Sequence, residues 1–278
     1  MTDETGEQLG FLVPPLFLVI IALVAVFVIS YDSRYSSKRN LSILRFAIDN
    51  DLHYTTDSEI TPPKGPLMFS IGYDRKQIRT LIFPDLSMFA LYEYTVESGK
   101  SRATHSLEFM SMMLPRRVPH LLLNSKRNMV SVPVYNYQVQ KIELEGDFNK
   151  YFTVYAPPNY HVDALQILTP DVMQAFIKYG QKYDFELIGN KLYAYRHPST
   201  KTWSAAGMRE ALTGVANVAS QIREQTDTYR DARINGAVDI VAPDGMRFKI
   251  RPSWQRALIV ILIVLFCYLM DYLIKALF

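Results

Sequence analysis

The sequence predicts an α+β domain, a mostly antiparallel sheet flanked by helices, with one transmembrane helix at each end. Three observations lead there. Charge-free apolar runs stand near both termini. Between them, aromatic and branched residues first gather in short runs separated by turn signals, and a long three-four spacing follows. Strands followed by a helix, with no regular alternation of the two, point to an α+β architecture.

The first run, Phe11 to Ser30, holds twenty residues without a charge. At 1.5 Å per residue that is roughly 30 Å, the thickness of a bilayer's hydrocarbon core. The preceding MTDETGEQLG is acidic where a signal peptide is basic, so the run reads as a retained anchor. A second span is expected over residues 257–276, with Trp254 at the interface and Asp271 and Lys275 as its intramembrane polar residues. Arg34, Lys38, Arg39 and Arg45 follow the first run, and Arg247, Lys249, Arg251 and Arg256 precede the second, while Lys275 alone lies beyond. Basic residues stay on the cytoplasmic side, so the expected topology is a two-span protein of the bacterial inner membrane. Residues 1–10 form an extracytoplasmic tail and 31–256 a cytoplasmic domain.

Charge narrows the function. Of 30 basic and 27 acidic residues, all but Lys275 of the former lie in 31–256, whereas Asp3, Glu4, Glu7 and Asp271 lie outside it. This mild basic excess suits an anionic membrane surface better than nucleic acid. The single cysteine, Cys267, rules out an internal disulfide and a cysteine metal site, and no cofactor motif is present.

Along the middle, SSKRNLSILRFAIDNDLHY predicts a short helix leaving the membrane, with Leu41, Leu44, Ile48 and Leu52 at helical spacing, broken at Pro62 and Pro63. SMFALYEYTVESGKSRATHSLEFMSMMLP predicts a hairpin, and VPHLLLN, QVQKIELE and KYFTVYA further strands. TPDVMQAFIKYG carries a Thr169 N-cap, Pro170 at the first position, Asp171 in the first turn and Gly180 as a stop. FELIGNKLYAYR predicts a second hairpin turning at Gly189-Asn190. A long helix over 204–233 would run roughly 45 Å. Packing on its own sheet suits it best, with a homo-oligomer seam as the alternative. APDGMRFKI returns the chain to the bilayer.

Signals of chemistry are sparse. Ser98-Gly99-Lys100-Ser101 imitates a phosphate loop, but Tyr94 stands where a glycine is needed, and a hairpin turn accounts for it. The five histidines are scattered with no metal-ligand spacing. His161 with Asp163, or His105 with His120, would serve a membrane-tethered enzyme, the alternative reading. The stronger candidates are contacts to anionic lipid or a cytoplasmic protein: Arg116, Arg117, Lys126 and Arg127 around an apolar strand, and Arg247, Lys249 and Arg251 before the second span.

One further pattern combines Glu145, Gly146, Phe148, Phe152, Val154 and Tyr155, then Leu168-Thr169-Pro170, then Gly189, Asn190, Leu192 and Tyr193. It resembles a family of bacterial membrane-anchored domains of unknown function, over about residues 65–195. The resemblance implies an α+β domain beside hydrophobic spans and assigns no catalytic residues.

Overall fold

The computed structural model describes residues 19–23, 26, 40–56, 63–99, 101–128, 130, 132, 134–199, 204–234, 239–250, 254, 258, 261–266 and 269. Most of both apolar runs therefore lies outside the described residues. No helix among the described residues is long and apolar enough to cross a membrane.

The frame is β4 (Ser101–Ser125), whose 25 residues pair with three other strands. Helix α1 (40–49) and short β1 (His53–Thr55) lead into β2 (Tyr73–Ile82) and β3 (Met88–Ser98), a meander that continues into β4. Ser98 pairs with Ser101, so the predicted hairpin closes on a two-residue loop with Gly99 at φ 61°. Beyond β4 come β5 (Tyr137–Gln138), β6 (Gln140–Ile142), α2 (Phe148–Tyr151), β7 (Phe152–Ala156), α3 (His161–Ile167) and α4 (Pro170–Ala175). Then β8 (Asp184–Arg196), α5 (Ala205–Thr226), α6 (Pro243–Met246) and β9 (Lys249–Ile250) complete the order.

Glu108 to Ser111 pair with both β3 and β8, and Leu122 and Leu123 with both β7 and β8. A strand has two edges, so β8 takes one and β3 and β7 share the other at opposite ends. Among the described residues, 112–121 have no strand partner on that shared edge, which is why Pro115 and Pro119 are tolerated inside so long a strand.

Pairing with β8 slips twice here, between Met113 and Val118 and between Val118 and Leu121. Met110, Met112, Leu114 and Val118 join the core under the helices, but past Pro119 the odd residues Leu121 and Leu123 do so instead. On β8 the same reversal falls at Gly189: Leu192 and Ala194 face the helices on one side of it, Phe185 and Leu187 on the other. An irregular step that shifts register by one reverses which face each side chain takes.

The predicted Gly189-Asn190 turn is corrected by this pairing. Both flanks of the glycine pair with the same strand, so 184–196 is one strand of 13 residues and Gly189, at φ 57°, supplies a kink.

Two cores result, one on each face of the sheet. Ile43, Phe46, Ala164, Val172, Met208, Val215 and Ile222 bring the helices onto the first. The second is covered by Leu67 to Phe69, Val130, Val132 and Phe248, with Phe69 edge-on to Tyr92 at 4.8 Å and Phe109 at 4.9 Å.

Helix α5 is shorter than the expected 204–233. It is capped by the Ser204 hydroxyl, which accepts from the Gly207 N–H at 3.0 Å, and ends at Thr226, giving about 33 Å. The following residues are drawn into a buried cluster: Asp231 accepts from the Tyr160 hydroxyl at 2.9 Å and pairs with Arg233 at 2.9 Å, and Arg233 also reaches Asp163 at 2.9 Å. The apolar stripe of α5 packs on its own sheet.

Candidate functional site

The slips in β4 and β8 shape a groove beside them. A hollow of about 580 Å³ is bordered by Arg117 and Val118 from β4, Ile188 to Lys191 from β8, and Asp239 to Val241 with Met246 and Arg247 from the C-terminal segment. Pro63 and Lys64 close it from the N-terminal side, and these two, with Arg247, also border a neighbouring hollow of about 480 Å³ that includes Arg75. Lys64, Arg117, Lys191 and Arg247 thus line the hollow around an apolar floor of half-buried Ile188 and exposed Ile240 and Met246, with Val118 and Val241 buried beneath. Among the described residues no ion pair involves any of the four. Asp239, the acid of the groove, already accepts the Arg117 backbone N–H at 2.6 Å.

Both sides of the groove are pinned by a buried clasp in the second core. Phe248, next to Arg247, stacks on His120 at 4.0 Å and donates its N–H to His120 Nδ1 at 3.2 Å. That bond makes Nδ1 the acceptor, so Nε2 carries the proton and donates to Glu186 Oε1. The same oxygen accepts the Leu67 N–H at 2.7 Å, three residues beyond Lys64, and Oε2 accepts the Tyr195 hydroxyl at 3.0 Å. His120 and Glu186 are 1% and 0% exposed, so no water replaces a lost partner. Burial and the adjoining carboxylate push the Tyr195 hydroxyl well above its ordinary pKa, leaving it a donor.

The other predicted residues separate. Arg116 Nε donates to the Asp227 carbonyl at 3.1 Å, Lys126 Nζ to the Asn149 carbonyl, and Lys249 pairs with Asp244 at 2.8 Å. Arg127 borders a different hollow of about 540 Å³, where Arg196 pairs with Glu108 at 2.7 Å and Glu210 adds a second acid. Arg251, Asp271 and Lys275 lie outside the described residues.

The histidine pairs do not assemble either. Asp163 is taken by Tyr229 and Arg233, while His105 stacks on Tyr94 at 5.3 Å in the outer half of β4. Among the described residues no group of three or more His, Cys, Asp or Glu is placed to hold a metal ion.

Of the groove's four cations, the sequence singled out Arg117 and Arg247 but not Lys64 or Lys191. Lys64 follows a proline pair and Lys191 sits beside the supposed turn, and neither position signals a ligand.

No protein-family model and no curated protein matches the chain. Among solved structures it is similar to the crystal structure of the mycobacterial trehalose monomycolate transport factor A, TtfA. The two are 11% identical with a TM-score of 0.47, over 66% of this chain and 94% of that one.

Proposed function

We propose that this chain is a two-span protein of the bacterial inner membrane whose 31–256 domain lies on the cytoplasmic side and holds an anionic lipid headgroup in the groove of Lys64, Arg117, Lys191 and Arg247. The observation that carries this is four cations, without ion pairs among the described residues, gathered over apolar side chains. A headgroup phosphate would meet the cations, and the first carbons of its chains the floor. Position supports the reading: seven residues separate Arg247 from the exposed Trp254, at most roughly 25 Å of chain. The described parts of the apolar runs, residues 19–23 and 261–266, are helical with their large side chains about half exposed, which suits a lipid surrounding. Near an anionic surface each basic residue is worth about 1 kcal/mol, so four together amount to roughly a thousandfold in affinity.

Native mass spectrometry of the full chain released from neutral micelles tests this. With equal phosphatidylglycerol and phosphatidylcholine supplied, the protein should retain the anionic lipid, and Arg117→Ala/Arg247→Ala should lose that preference. Equal retention of both lipids by the unaltered protein would overturn the proposal.

A further inference from the structure

Helix α1 carries apolar residues on two opposite faces. At about 100° per residue, Ile43, Phe46 and Ala47 fall together, and they are 0%, 3% and 2% exposed against the first core. Leu41, Leu44 and Ile48 fall within about 60° of one another on the far side, and they are 53%, 38% and 70% exposed. The core face is already filled, so the outer stripe is not a displaced core face. A surface helix ordinarily turns polar residues outward, yet the arc of these three holds no polar residue: Arg45 falls about 40° to one side of Leu41 and the exposed Asp49 about 40° further on.

We infer that the Leu41–Leu44–Ile48 face lies in the headgroup–acyl boundary of the bilayer, making α1 an interfacial helix that fixes how the domain sits on the membrane. The inference rests on the membrane reading above and is independent of the groove. Three observations select lipid as the occupant. The charge-free run ends at Ser30, nine residues before α1 begins, so at most roughly 35 Å of chain tethers the stripe to it. Arg45 flanks the stripe, and Lys38 and Arg39 immediately precede the helix; against the one acid Asp49 this is a basic excess, the accompaniment that draws an apolar face to anionic lipid. At the domain's other end Ile250 and Trp254 are also bare, at 65% and 64% exposed, so both approaches to the apolar runs present uncovered apolar side chains.

The test places a bimane probe on single cysteines at 41, 44, 48, 42 and 101 of the full chain, in a Cys267→Ser background, reconstituted in vesicles with and without brominated lipid. Strong quenching at 41, 44 and 48, with weak quenching at Ser42 and none at the Ser101 hairpin tip, is the expected pattern. No quenching at 44 and 48 in protein that resists carbonate extraction would overturn this inference and leave the membrane reading standing. Extraction of the protein by carbonate would overturn both. Blue-shifted but unquenched probes, with a disulfide between two copies at position 48, would show that a second copy covers the face and would also overturn the inference.

Discussion

Replacing Glu186 should loosen two segments that stand 181 positions apart, Leu67 and Phe248. In Glu186→Ala, the Leu67 N–H, the His120 Nε2–H and the Tyr195 O–H lose their acceptor in a place water does not reach. Each stranded donor costs about 1–3 kcal/mol, so together they cost at least about 3 kcal/mol. Glu186→Gln keeps an amide oxygen for the two N–H donors and offers its amide to the Tyr195 oxygen, so its cost is about 1–2 kcal/mol. Hydrogen exchange of the full chain in micelles, read by mass spectrometry, separates local from global effects. In the alanine variant the segments around 64–70 and 245–250 should exchange together, at least roughly a hundredfold faster for about 3 kcal/mol, with the glutamine variant in between. Meanwhile β3 and the outer half of β4 should stay protected. Unchanged exchange in either segment, or equal acceleration everywhere, would refute the clasp.

Other outcomes follow from the same structure. Burial pushes the Asp184 carboxyl up to about 8 despite donors from the Ser125 N–H and Asn128. Because the folded value lies above the unfolded one, its stabilising effect is fully present below the ordinary carboxylate pKa and is lost as pH rises through about 8. Stability measured between pH 4 and 8 should therefore fall more steeply in the parent than in Asp184→Asn. Gly245→Ala places a Cβ 2.3 Å from the Tyr160 ring, so it should cost about 1–3 kcal/mol in thermal unfolding, and Tyr160→Phe should not relieve it because the ring carbons clash as well. For topology, Thr5→Cys but not Ser101→Cys should label with an impermeant thiol reagent on intact cells carrying Cys267→Ser. The reverse pattern would place the domain outside.

How legible each part was depended on the range of its cause. Strands β3 and β4 and helix α4 were readable because their signals are local: a two-residue loop with glycine, or a proline at the first helical position. The Gly189-Asn190 turn misled because such a pair reads the same in a turn and in a kinked strand. Only pairing of both flanks with β4, some 70 residues earlier, decides between them. In α1 the spacing Leu41, Leu44, Ile48 was real, yet it marked the outer face. The core face, Ile43 with Phe46 and Ala47, has the same period and is distinguished only by what packs against it. The groove was half visible, since Arg117 precedes the apolar VPHLLLN run and Arg247 stands in the basic stretch before the second apolar run, whereas Lys191 joins them through the pairing of β8 with β4 and Lys64 through a segment over 50 residues earlier. His120 and Glu186, 66 residues apart, carried no shared signal.

If the four cations hold an anionic headgroup, they should act as one site. Calorimetric titration of the full chain in neutral micelles with a short-chain phosphatidylglycerol, at low and high salt, measures this directly. One saturable event, weakened by salt and reduced about thirtyfold in Arg117→Ala/Arg247→Ala for the loss of about 2 kcal/mol, is the predicted result. Binding that is indifferent to salt and equal in the double variant would contradict it.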